Sequence, residues 1–129
     1  GLVSPERIPR LLAGMDIVAH TSLREGLARV LPQALIVGRP VISYDVDGAR
    51  EVVIPDTTGL LLPPTSIGEL TASLDRLIAD RDLRERMGAA GRTRCADVFR
   101  HETMTAQIRA LYERVLAKNA DAAKPTARS

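Results

Sequence analysis

Tryptophan is absent, and the aromatic complement stops at Phe99, Tyr44 and Tyr112. A core for these 129 residues must therefore rest on Leu, Val, Ile and Ala. The same shortage argues against nucleic acid as a partner, because sequence-tolerant binding of single strands needs several aromatic platforms for base stacking. Cysteine is reduced to Cys95, so no internal disulfide can form, and no paired-cysteine or Cys/His cluster points to a zinc site. Such sparing use of cysteine suits the cytoplasm. No apolar run approaches the length of a membrane span, and no basic stretch leads into an apolar segment at the start, as a secretory signal would require. Lysine is nearly missing too: of 18 cationic side chains only Lys118 and Lys124 are lysines, and the rest are arginines.

What is present is an ordinary globular mixture, 45% apolar and 26% charged with a net charge of +2. That balance excludes intrinsic disorder and collagen-like chains. The length fits one domain or part of one, and a compact fold of this size buries roughly two-thirds of the surface its unfolded chain exposes. The chain opens Gly-Leu-Val and runs straight into an ordered pattern, so the expectation is an N-terminally truncated domain.

Ser4 to Gly14 reads as a short or bent helix, capped by Ser4, with Pro5 at its first position and Pro9 sitting awkwardly inside it. Met15 to Thr21 has the length and β-branched content of a buried strand. A polar loop, Ser22 to Gly26, follows. From Leu27 the apolar residues Leu27, Val30, Leu31, Ala34 and Leu35 trace a helical stripe that ends at Gly38, with Pro32 in its first turns or kinking it. Pro40 to Tyr44 is a second strand, Asp45 to Gly48 a turn, and Ala49 to Val53 a short helix. Leu60 to Leu62 is a third strand, closed by Pro63 and Pro64. Strands alternating with helices imply parallel crossover units. The rest is helical: one helix from Ser66 carrying Leu70, Leu74, Leu77 and Ile78, a second interrupted or bent at Gly88 and Gly91, and a third from about Thr103 with Ile108, Leu111, Tyr112, Val115 and Leu116 on one face. The expected division is a domain over 1–118 and a disordered tail over 119–129.

In an open parallel sheet, ligands gather at the carboxyl ends of the strands, and backbone N–H groups at a helix start attract phosphate. Gly26 lets backbone approach a ligand closely. Glu25, at the mouth of that site, would repel phosphate but accept hydrogen bonds from sugar hydroxyls; on spacing alone it reads more simply as a solvated loop charge or a helix-start acid. The second loop, Asp47-Gly48-Ala49, faces the same edge, and its simplest reading is a strand-to-helix turn with Asp47 as the cap. His20 reads as a satisfied structural histidine, Cys95 as a small buried hydrophobe, and Arg84, Arg86, Arg92 and Arg94 as a helix's solvated face. No Ser/His/Asp or Cys/His arrangement can be defended.

The segment from Asp16 to Val53, with Ser22-Leu-Arg-Glu-Gly-Leu-Ala28 at its centre, resembles the donor-binding half of family 4 glycosyltransferases. The likeness continues through Thr58-Gly-Leu-Leu-Leu-Pro-Pro64 and Met87-Gly-Ala-Ala-Gly-Arg92, so it covers roughly residues 1–117. It implies a fold class: α/β, a partial Rossmann-like parallel sheet flanked by helices, the C-terminal half of the two-domain GT-B architecture. It also implies a retaining, metal-independent hexosyltransferase using a UDP- or GDP-sugar, with no cofactor besides that donor. Glu25 matches the family's first motif glutamate, which contacts the donor hexose near its reacting end and is the expected catalytic residue. Gly26 and Leu27 match the turn whose N–H groups meet the diphosphate, and Ser22, Ala28 and Gly48 complete the expected donor-binding set. The family's second glutamate, eight positions later, binds the ribose hydroxyls; here it is Gln33. A neutral amide can still donate to and accept from a diol, but loses the charge-assisted part of the contact, on the order of 1 kcal/mol.

The resemblance further implies that the acceptor domain and the cations that neutralise the leaving diphosphate lie upstream of Gly1, so this stretch alone would bind donor poorly and transfer nothing. Many members of that family work at the cytoplasmic membrane face, which makes peripheral association with the inner membrane an expectation for the longer parent; the oligomeric state stays open. The alternative from another class is a stand-alone, non-catalytic α/β module that binds a nucleotide or a protein.

Overall fold

A computed structural model describes residues 2–122. The chain divides into two compact units, Gly1–Ala96 and Asp97–Ser129, where the sequence suggested a single domain through residue 118.

The first unit is built on a three-stranded parallel sheet in the order β1 (Val18–His20), β2 (Val41–Tyr44), β3 (Gly59–Leu62). Its register pairs His20 with Ser43, and Ser43 with Leu61. The first strand is shorter than the strand expected from Met15 to Thr21, because only Val18 to His20 find partners on β2. Every residue of the central strand β2 is buried. Ile42 and Tyr44 point to one face with Leu60 and Leu62, and pack against Leu77 of α4 (Ile67–Ala79) and Met87 of α5 (Arg81–Val98). This aliphatic cluster is the core that the near-absence of aromatics required. On β1 and β2 lies α2 (Val30–Ile36), which buries Leu31, Ala34 and Leu35.

Local sequence explains most element boundaries. Pro5 opens a 3-10 turn (Pro5–Arg7) that leads into α1 (Ile8–Ala13), so Pro9 falls in the first helical turn, where its missing N–H breaks no bond. Ser4 precedes that turn but makes no side-chain cap. Gly38 ends the α2 region at φ +76°, a left-handed conformation open to glycine. The short helix α3 (Ala49–Val52) starts after Gly48 without a side-chain cap, so Asp47 does not serve as the cap its position suggested.

Two expectations for α5 need correction. The helix runs unbroken through Gly88 and Gly91. These glycines mark close approach: a Cβ at Gly88 would strike the Gly38 carbonyl, and one at Gly91 would meet Leu35 Cδ2 at 2.5 Å. Nor is the arginine face simply solvated. Arg84 donates to the carbonyls of Leu77 and Ile78 at the end of α4, Arg92 to Val37 just past α2, and Arg94 to Glu51 in α3. Arg39, outside α5, does the same for Ala13 at the end of α1. The last turn of a helix leaves carbonyls without intrahelical donors, and a guanidinium satisfies them with a permanent charge. The arginine-for-lysine bias of the composition has here a structural use.

The second unit contains α6 (His101–Ala122). Met104, Ile108, Leu111, Tyr112, Val115 and Leu116 are all exposed along it. The helix takes in residues 119–122 of the expected tail; residues 123–129 of that tail lie outside the described residues. Among the described residues no helix is long and apolar enough to cross a membrane.

Candidate functional site

Because the three strands are parallel, their carboxyl ends share one edge, and the loops leaving them, 21–29, 45–48 and 63–66, rise from that edge. Glu25, Gly26 and Leu27 form the exposed crest of the first loop. The helix that follows begins at Val30, later than the apolar stripe from Leu27 predicted. Leu27 and Ala28 are held out of it by ties between the first two loops. The Glu25 N–H donates to Asp47 Oδ2 at 2.7 Å, and the Gly48 N–H donates to the Gly26 carbonyl at 3.0 Å. Gly48 fits here because it has no side chain: a Cβ would lie 2.8 Å from the Gly26 oxygen and 2.9 Å from Leu27 Cδ1. Among the described residues no hydrogen bond takes the N–H of Gly26 or Leu27.

Two non-glycine residues on this edge adopt left-handed backbone, Asp47 at φ 45° and Thr65 at φ 65°. Each costs about 1 kcal/mol relative to an ordinary conformation, and strain of this kind persists where surrounding contacts over-determine it. At Asp47 the bond to Glu25 is such a contact.

The Glu25 carboxylate is 43% exposed and lies 3.6 Å from His20 Nε2, beyond hydrogen-bond reach but close enough to pair if the imidazole is charged. His20, at the end of β1, is 14% exposed, and its Nδ1 is buried without a partner. Its ring makes no hydrogen bond among the described residues, where the sequence suggested satisfied partners. Asp45 is paired with Arg50, leaving Glu25 and Asp47 as the acidic groups that bracket the turn. Gln33 sits on an exposed position in the first turn of α2, eight residues on from Glu25, and Ala28 is buried beneath the crest. The structure thus brings Glu25, Gly26, Leu27, Ala28 and Gly48 together at one point, with Ser22 on the same loop and Gln33 on the adjoining helix.

A cavity of about 270 Å³ lies away from this point, at the amino-terminal edge of the sheet, lined by Asp16, Arg39, Pro40, Arg81, Arg84 and Glu85. Its cations are committed to the fold: Arg39 and Arg84 hold helix carbonyls, and Arg81 bonds Glu85 at 2.8 Å. Among the described residues no group of three His, Cys, Asp or Glu side chains gathers as a metal site. Cys95 is fully buried, and burial pushes its thiol pKa up, with Arg94 opposing. It behaves as the small hydrophobe expected.

A parallel sheet flanked by helices, with its glycine-bearing loops gathered on the carboxyl edge, defines a Rossmann-like half of a GT-B glycosyltransferase. Residues 1–94 match the family "Glycosyl transferases group 1", and the chain belongs to it. It is 36% identical over 118 residues to the MMP alpha-(1->4)-mannosyltransferase of Mycolicibacterium hassiacum, covering 90% of this chain and 28% of that one. It is 35% identical over 96 residues to the GDP-mannose-dependent alpha-(1-6)-phosphatidylinositol monomannoside mannosyltransferase of Mycobacterium tuberculosis, covering 74% of this chain and 23% of that one. Among solved structures, sucrose-phosphate synthase from Thermosynechococcus elongatus superposes with a TM-score of 0.82 at 30% identity, over 92% of this chain and 30% of that one. The Anabaena HepE protein in complex with UDP-glucose superposes with a TM-score of 0.77 at 30% identity, over 83% of this chain and 30% of that one. The chain therefore spans less than a third of the length of these relatives. The family match does not favour a stand-alone, non-catalytic module.

Proposed function

We propose that this chain is the nucleotide-sugar-binding part of a retaining glycosyltransferase that moves a hexose from a UDP- or GDP-sugar to an acceptor hydroxyl, without a metal ion. The observation that carries this reading is the Glu25-Gly26-Leu27 turn, tied down at both ends by the neighbouring loop and standing at the carboxyl edge of a parallel sheet. The HepE complex with UDP-glucose supports the choice of ligand class.

In this reading each group has one task. The N–H groups of Gly26 and Leu27 donate to the donor diphosphate, and the fixed geometry means no reorganisation is needed as charge grows on the leaving group. The Glu25 carboxylate accepts hydrogen bonds from hexose hydroxyls near the reacting carbon. Gln33 holds the ribose diol through its amide, while Ser22, Ala28 and Gly48 line the floor and let backbone approach. Retention follows when the acceptor attacks the face from which the diphosphate departs. Acceptor binding and the cations that neutralise the diphosphate are assigned to protein upstream of this stretch.

The test is a titration of this chain by NMR with UDP, UDP-glucose, GDP and GDP-mannose at millimolar concentration. Shifts should concentrate between Glu25 and Gln33, and Glu25→Ala should diminish the response to the sugar-bearing ligands while sparing that to the bare nucleotides. No shift in this stretch with any of the four overturns the reading.

A further inference from the structure

The tie between Asp47 and Glu25 is unusual in its design. Asp47 stands three residues beyond the end of β2, in left-handed backbone at φ 45°, and its carboxylate ignores the helix that starts beside it. It reaches 22 residues back along the chain to accept the Glu25 N–H at 2.7 Å. One residue on, the Gly48 N–H donates to the Gly26 carbonyl at 3.0 Å.

These two bonds fix different peptide planes. The first orients the plane between Arg24 and Glu25, and the second the plane between Gly26 and Leu27. A trans peptide places N–H and C=O on opposite sides. With the Gly26 carbonyl turned toward Gly48, the Leu27 N–H of the same plane is turned away from loop 45–48. The Glu25 Cα adjoins the first of these fixed planes, and the Gly26 Cα adjoins the second. The left-handed φ of Asp47 is part of this arrangement, since it turns the carboxylate toward loop 21–29 and leaves the α3 amides uncapped.

We infer that Asp47 is a positioning residue for donor binding: its carboxylate, through the Glu25 amide, sets the direction of the Glu25 side chain without itself touching the donor, while the Gly48 N–H sets that of the Leu27 N–H. The inference rests on the donor-site reading above. It adds a residue whose position alone suggested an ordinary helix cap.

Three variants separate the hydrogen bond from the backbone strain. Asp47→Asn keeps an acceptor and tolerates left-handed φ; Asp47→Gly removes the acceptor and relieves the strain; Asp47→Ala removes the acceptor and keeps the strain. In the wild-type chain and in Asp47→Asn, the Glu25 amide proton should resonate at low field, as a hydrogen-bonded amide does. In Asp47→Gly and Asp47→Ala it should move upfield. Asp47→Gly should unfold in urea no earlier than wild type, yet bind UDP-glucose or GDP-mannose about tenfold more weakly, because a misplaced donor costs affinity and turnover without costing fold. Asp47→Asn should stay close to wild-type affinity.

Nucleotide-sugar binding by Asp47→Gly at wild-type strength overturns the inference, as does an Asp47→Asn variant that binds as weakly as Asp47→Gly. A Glu25 amide that does not respond to Asp47→Gly overturns the hydrogen-bond route itself, and this readout needs no ligand. Absence of nucleotide binding in the wild-type chain alongside the expected amide shifts would instead overturn the donor-site reading, and with it any role of Asp47 toward a donor.

Discussion

Gln33 occupies an exposed position on α2, in the first turns of a helix whose start is displaced by the ties on Gly26 and Glu25. In the donor-site reading its amide meets a ribose diol with neutral hydrogen bonds. Restoring a charged acceptor with Gln33→Glu should tighten UDP or GDP binding by about 1 kcal/mol, roughly fivefold, measurable by calorimetry on this chain. An unchanged affinity would remove Gln33 from the ribose contact. At this scale the sequence was readable for residue types and for loop placement. Glu25, Gly26, Leu27 and Gly48 do meet where the strand ends predicted. The Asp47-Gly48 dipeptide also signals left-handed backbone in a turn. What local sequence could not supply was the destination of the Asp47 carboxylate, because that is a contact across 22 residues. The same holds for His20, whose neighbour Glu25 is set by how the loop folds back over the strand end.

Among the elements, glycine gives the clearest contrast. Gly68, near the start of α4, has open space where a Cβ would go, whereas Gly88 in α5 sits against the Gly38 carbonyl. Gly68→Ala should therefore stabilise the fold by about 0.5 kcal/mol, chiefly by restricting the unfolded chain. Gly88→Ala should destabilise it by about 1–3 kcal/mol, as overpacked sites do. Urea denaturation of the two variants decides this, and similar midpoints would contradict the packing account. Propensity alone ranks the two positions equally and predicts a break in α5. The break does not occur because the glycines are demanded by neighbours, which a reading of one helix at a time does not include. The short strand β1 has the same origin: the stretch from Met15 to Ile17 looks like strand, but the ladder to β2 begins at Val18.

For the molecule as a whole, Cys95 reports on global opening. Its thiol is fully buried and its pKa is raised by that burial. A raised folded-state pKa means the folded chain keeps a proton that the unfolded chain releases, so this contribution is present at neutral pH and lost as pH rises into the alkaline range. Stability should fall in alkaline solution, and Cys95→Ala should flatten that dependence; an identical pH profile in the variant would contradict it. The parallel three-stranded architecture was legible because alternating strand and helix patterns leave few topologies. The division at Ala96 was not, because no glycine or proline marks it in the sequence. Finally, α5 alone supplies the arginines that close α2, α3 and α4. Loosening α5 frees the trailing carbonyls of three helices in a single event. Amides across those segments should then exchange with solvent as one cooperative unit, with α5 as its keystone.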